Sequence, residues 1–234
     1  MELGYWGIKG VAEPIRWLLA YLGQEYTEYN PTCFEEWFTK RKHNLGLDFP
    51  NLPYLIDGNV RISESSAIPF YIAHKAARPD LFGIGWQEQV AHKELEGVLN
   101  EYRQALFKLL KPTDDHYGAF EKEFAEEGSM RMKLKHLSGY LNGKKYFLTH
   151  LTYVDMCFVY LVEMTAVLAV SCGYYGDVMQ QQNLKDLFLH VRSLPNVKER
   201  ILAAESLPFM PAQPVFQFKM LTSKEAREKV HVKT

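Results

Sequence analysis

Residues 3–8 are short, apolar and bounded by glycine, a pattern that predicts a strand. Past Gly10, the positions Ile15, Leu18, Leu19 and Leu22 fall at the i, i+3, i+4, i+7 spacing of one helical face. Pro14 suits that helix's first turn, where its missing N–H has no partner to lose, and Gly23 suits its C-terminal cap. Residues 26–30 read as a second strand, and residues 34–42 are polar and aromatic with no clear period. Residues 52–62 hold two short strands around Asp57-Gly58-Asn59, turn chemistry that joins antiparallel neighbours. Residues 65–77 predict a helix with Ile68, Tyr71 and Ile72 on one face. The order is β-α-β, a linking segment, then β-β-α, a small mixed sheet with helices on it.

The period changes near residue 80, at the Pro- and Gly-containing run 78–85. Beyond it Ala91, Leu95, Val98, Leu99, Tyr102, Leu106, Leu109 and Leu110 keep the helical repeat for about five turns. Residues 120–141 and 153–170 predict further helices, Leu184, Leu187, Phe188 and Val191 repeat the stripe, and a last helix runs from Pro195 to about Ala204. Thr152 and Asp155 make an S/T-x-x-D capping pattern, with Leu151 and Met156 placed as a hydrophobic staple. The expected organisation is an α/β domain over residues 1–80, a linker over 81–85, an all-α domain over 86–218 and a polar tail over 219–234. That tail, with five basic and two acidic residues, reads as a solvated end or a lid over a cleft.

Composition narrows the function. The 27 Lys plus Arg against 28 Asp plus Glu leave a net charge of −1, without the basic excess that binding a phosphate backbone needs, so nucleic acid is not an expected partner. The three cysteines, Cys33, Cys157 and Cys172, are odd in number, far apart and without metal-site spacing, which argues against a disulfide framework or structural zinc and for a reducing compartment, the cytoplasm by default. The longest apolar run, residues 153–170, carries Asp155 and Glu163 and reads as a buried helix rather than a membrane span. Nucleophile-elbow, zinc-protease and phosphate-loop motifs are absent, as is a GxGxxG after the first strand.

Polar groups converge instead at the carboxyl ends of the first strands, the usual ligand crevice of open α/β sheets. Tyr5-Trp6 stands near the exit of strand one, where spacing alone equally suits a packing aromatic. Pro53, following Asn51-Leu52, is a candidate cis proline in a bend that would leave the Leu52 backbone free to hold an extended peptide. Ser63-Glu64-Ser65-Ser66 opens a helix whose free donors suit a carboxylate, or serves simply as its cap.

Three blocks carry a resemblance to a known family: Leu3-Gly4-Tyr5-Trp6-Gly7-Ile8-Lys9-Gly10-Val11, then Leu45-Gly46-Leu47-Asp48-Phe49-Pro50-Asn51-Leu52-Pro53-Tyr54-Leu55-Ile56-Asp57-Gly58, and Ile62-Ser63-Glu64-Ser65-Ser66-Ala67-Ile68. The chain resembles the cytosolic glutathione transferases, and within them the mu class. The resemblance implies a thioredoxin-like domain followed by an all-α domain, and conjugation of glutathione, a cosubstrate rather than a cofactor, to small hydrophobic electrophiles. It implies that Tyr5 hydrogen-bonds the glutathione sulfur, that the Leu52 backbone pairs with the cysteinyl part beside Asn51 and Pro53, and that Glu64 and Ser65 hold the γ-glutamyl end. Trp6, Trp37 and Lys42 match residues around the glycyl end. Val11, with Trp6, and the stretch from Leu106 to Lys111 match the electrophile site, although the mu-class tyrosine there falls near Lys111, where this chain has none in register. Glu64 stands where the mu pattern has Gln. Phe49 and Glu101 match residues that reach a second subunit, so a C2 homodimer is implied. The alternatives of a different kind are a noncatalytic carrier or structural member of the family, which would dispense with Tyr5, and a glutathione-dependent isomerase, which would keep it.

Overall fold

The computed structural model describes residues 1–111, 113–210 and 220–231. A four-stranded mixed sheet in the order β2-β1-β3-β4 forms the N-terminal half: β1 (Glu2–Gly4), β2 (Thr27–Tyr29), β3 (Tyr54–Asp57) and β4 (Val60–Ser63). β1 runs parallel to β2, across the crossover helix α1 (Glu13–Tyr21), and antiparallel to β3, with Leu3 facing Leu55. The β3–β4 hairpin turns at Gly58, whose φ of 58° is the left-handed conformation that glycine adopts without a Cβ penalty. The second helix, α2 (Ala67–Lys75), buries Ile68 and Ile72 as its period requires, while Tyr71 reaches back to donate to Asp57 at 2.8 Å.

The helical half comprises α3 (Gly85–Leu109), α4 (His116–Phe124), α5 (Ser129–Leu141), α6 (Tyr153–Ser171), α7 (Gln182–Ser193), α8 (Pro195–Ala203) and α9 (Ser223–His231). α6 is its axle. It is long and apolar enough to cross a membrane, but 78% of that apolar window is buried inside the protein, as a core helix must be. Its start is fixed as the capping pattern predicts: the Asp155 carboxylate accepts from the Thr152 amide and hydroxyl, both at 2.8 Å, and from the Phe147 amide at 3.0 Å, with Leu151 and Met156 both buried. One hydrophobic core runs from Leu3, Ile15 and Ile72 in the sheet half to Leu95, Phe158 and Val197 among the helices. The two halves therefore share a core rather than a hinge.

The structure corrects one sequence expectation and adds to two readings left open. The single helix over 120–141 is two. Gly128 sits where a Cβ would lie 2.3 Å from the Glu123 carbonyl, and the buried Arg131 donates to the Phe124 carbonyl, one of those left open at the end of α4, as well as to the carbonyls of Asp177 and Val178. The aperiodic stretch 34–42 contains one π-helical turn, Glu36–Arg41, a widening that seats Trp37 against Tyr54. The tail is not solvated throughout: α9 packs on α6, and Ser223 donates to the buried Glu163 at 2.6 Å. Lys219, where the tail was expected to begin, lies outside the described residues.

Candidate functional site

Tyr5 is the first residue beyond β1 and is buried, with its hydroxyl accepting from the Val11 amide at 3.3 Å. Two things bring the loop to it. Gly10 takes a φ of 45°, and a Cβ there would lie 2.5 Å from the Tyr5 hydroxyl, so only glycine lets the chain pass so closely. From outside, the Lys9 and Gly10 amides donate to the Pro208 and Phe209 carbonyls at 2.8 and 3.0 Å, and Arg16 donates to the Ile8 and Lys9 carbonyls. Burial pushes the Tyr5 phenol above its ordinary pKa, and the Val11 amide, Arg16 and Arg103 offset this only in part. The hydroxyl is therefore held neutral and can donate to an anion. We expect Gly10→Ala to destabilise the fold by about 1–2 kcal/mol and to lower kcat/KM roughly 10- to 100-fold by displacing the hydroxyl; steady-state kinetics beside a melting curve separates the two effects.

The Leu52–Pro53 peptide bond is cis, as its place in the sequence suggests, and Leu52 lies just outside the β3 ladder. Opposite it, Glu64 holds a φ of 77° and its carbonyl accepts from the Ala67 and Ile68 amides, both at 3.1 Å, so α2 starts directly behind it. The two segments are tied side to side: Asn51 donates to Glu64 at 3.5 Å, and Ser63 donates to the Phe49 carbonyl at 2.5 Å. Asn51, Leu52, Pro53, Glu64 and Ser65 thus gather at one edge of the sheet, as the sequence blocks imply.

Trp6, Trp37 and Lys42 are less uniform. Trp37 is only 2% exposed and stacks on Tyr54 with ring centroids 6.0 Å apart, which makes it the floor beneath the site. Trp6 is half-buried and meets Phe34 edge-on at 5.1 Å, while Lys42 lies 5.2 Å from the Phe38 ring. The neighbouring Arg41 turns away to Glu2 and Tyr54, at 2.6 and 2.9 Å.

A cleft of about 490 Å³ separates this sheet edge from α3 and α6. Val11, Glu64 and Ser65 line its first wall. Its other walls differ from the sequence reading. Leu106 has no exposure and belongs to the core, and Lys111 lies exposed beyond the end of α3, so neither reaches the cleft. The polar face of α3 does, through Glu96, Asn100 and Arg103, and α6 supplies Tyr153, Cys157 and Tyr160. Burial pushes the Cys157 thiol up to about 12, so it stays protonated at neutral pH. The α3 residues had a signal in the sequence: positions 96, 100 and 103 recur at helical spacing along one flank of the apolar stripe. Polar stripes ordinarily face water, and only the neighbouring sheet turns this one into a wall. On the outer surface, Phe49 is 78% exposed, and Glu101 pairs with Lys133 at 2.6 Å.

Comparison with known proteins agrees with this geometry. The family model described as "Glutathione S-transferase, N-terminal domain" matches residues 1–74, and "Glutathione S-transferase, C-terminal domain" matches residues 100–201. The chain is 36% identical over 226 residues to Glutathione S-transferase Mu 2 of Macaca fuscata fuscata, covering 92% of this chain and 95% of that one. It is 34% identical over 210 residues to a glutathione S-transferase of Tyrophagus putrescentiae, covering 87% and 90%. The crystal structure of glutathione S-transferase Blo t 8 shares the fold, with a TM-score of 0.77 over 95% of this chain and all of that one at 24% identity. With both halves matched and the identity spread along its length, the chain belongs to the glutathione S-transferases, enzymes that take glutathione as cosubstrate, and mu-class members are among its relatives.

Proposed function

We propose that Tyr5 donates its hydroxyl proton to the sulfur of bound glutathione and so stabilises the nucleophilic thiolate. The observation that carries this reading is a buried, neutral phenol whose hydroxyl accepts from the amide of Val11, a residue that lines the cleft on the same wall as Glu64 and Ser65. A free thiol of pKa near 8.5 is only about 3% ionised at pH 7, and one hydrogen bond to the ion, of about 1.5–3 kcal/mol, lowers that pKa by about 1–2 units. The tripeptide extends along Asn51, Leu52 and Pro53, with Glu64 taking its ammonium, Ser65 its γ-glutamyl carboxylate, and Trp6 and Lys42 the glycyl end. Residues 1–80 hold glutathione, residues 86–218 hold the electrophile, and the reaction serves detoxification in the cytoplasm.

The direct test is purified enzyme with glutathione and a panel of small hydrophobic electrophiles and isomerisable lipids. Conjugate formation supports the proposal. Glutathione binding without turnover would point to a carrier, and rearranged product without consumption of glutathione would point to an isomerase.

We further propose a homodimer in which Phe49 enters the partner subunit. An aromatic side chain 78% exposed on a monomer is the kind of anchor that dominates an interface. Glu101 would exchange Lys133 for the partner. Phe49→Ser is expected to raise the dimer dissociation constant by about 30-fold or more, corresponding to at least about 2 kcal/mol; sedimentation velocity across a dilution series reads it, and an unchanged dimer would remove Phe49 from that role.

A further inference from the structure

The cleft is unevenly charged for a purely apolar ligand. Two cations and two carboxylates line it: Lys93 and Arg103, Glu64 and Glu96. Lys93 and Glu96 neutralise each other at 2.7 Å, one turn apart on α3. Glu64, on the reading proposed above, answers the ammonium of glutathione. Arg103 is left over.

No carboxylate among the described residues comes within ion-pair distance of Arg103. Among the described residues, it donates from a terminal nitrogen to the Asn100 side chain at 2.6 Å, and its Nε is buried without a partner. A half-buried guanidinium has five donors in a rigid fork, and a neutral amide oxygen satisfies one of them. Its charge is felt on both sides of the space: burial raises the pKa values of Tyr5, Tyr153 and Cys157, and Arg103 offsets a small part of each rise. The same cleft also has apolar lining, with Val11, Val154 and Leu161, and Gly97 leaves open space on the α3 face. An apolar body with one anionic group fits this distribution better than a wholly neutral molecule, because desolvating Arg103 against a neutral ligand would leave a buried donor unpaired.

We infer that the preferred electrophile carries a carboxylate and that Arg103 receives it, setting substrate choice within the glutathione-conjugating site on which this inference rests. A matched pair of α,β-unsaturated ketones, one bearing a carboxylate and the other its methyl ester, tests it. In both, the glutathione sulfur bonds to the β carbon, the alkene π pair moves into the enolate, and a proton from water returns to the α carbon, with no leaving group. Wild type is expected to favour the acid over the ester in kcat/KM. Arg103→Gln should cut that preference about tenfold or more, mainly through the KM of the acid, while glutathione still binds, and Arg103→Lys should restore part of it.

An equal fall for acid and ester, an unchanged preference, or lost glutathione affinity would overturn the inference, the last by giving Arg103 to the tripeptide instead. Wild type that turns over neither ketone would sink the conjugation reading alone. Calorimetry with the preformed glutathione adducts of the acid and the ester then decides Arg103: tighter binding of the acid adduct, abolished in Arg103→Gln, upholds it, and equal binding rejects it.

Discussion

Tyr5→Phe is expected to lower kcat/KM for conjugation by about 10- to 150-fold, the rate equivalent of one hydrogen bond to an ion, about 1.5–3 kcal/mol. The ring is buried against the same neighbours in either residue, so the fold should melt within a degree or two of wild type. The pH dependence gives the sharper reading. Without the hydroxyl the bound thiol returns toward about 8.5, so the pH–rate profile moves up by about 1–2 units and the deficit shrinks as pH rises past that value. Thiolate absorbance of bound glutathione, titrated in both proteins, should show the same displacement. A coincident pair of titrations would remove Tyr5 from the thiolate.

Removal of Arg16 should be the most damaging change to stability. Its guanidinium is 1% exposed and meets Glu13 at 3.1 Å, Glu28 at 2.6 Å, and the carbonyls of Ile8 and Lys9 at 2.9 and 3.2 Å. Glu13 in turn holds the Trp17 indole and Arg200 of α8. Arg16→Ala leaves Glu13 buried with one cation fewer and two loop carbonyls without a donor, for an expected cost of about 3–5 kcal/mol. Arg16→Lys should recover little, since a point charge cannot serve two carboxylates and two carbonyls from one fork. Urea unfolding at fixed protein concentration measures both, because any dimerisation would make the midpoint depend on concentration. Activity should fall as well, since Arg16 supports the loop whose Val11 amide reaches the Tyr5 hydroxyl.

Much of this was legible in the chain because its cause is local. The α1 stripe, the Asp57-Gly58-Asn59 turn and the Thr152–Asp155 cap each need only a few neighbouring residues to act, and each is found as read. The grouping proposed to hold glutathione was legible for a related reason. Tyr5 follows β1, Leu52-Pro53 precedes β3 and Glu64-Ser65 follows β4, and these three strands are neighbours in the sheet, which brings the residues together. The features misread or left open share the opposite property. The break between α4 and α5 depends on Arg131 reaching carbonyls at Asp177 and Val178, the burial of Trp37 depends on Tyr54, and the order of the tail depends on Ser223 meeting Glu163 on α6. None of these partners lies within a turn of the residue it fixes.

The second-substrate site divides along the same line. Sequence similarity directed attention to residues 106–111, but a helix shows one face to its core and another to whatever the rest of the chain brings near it. Leu106 points inward, and the residues one to three turns earlier, Asn100 and Arg103 among them, meet the sheet edge. By itself the sequence determined most of the elements and their order, since backbone geometry, capping and turn chemistry are set by short-range sterics and hydrogen bonding. Only the tertiary structure decided what the cleft contains, because burial and charge compensation are properties of the space between elements. Arg103 is an unremarkable solvated cation in the sequence and an unpaired one in the cleft.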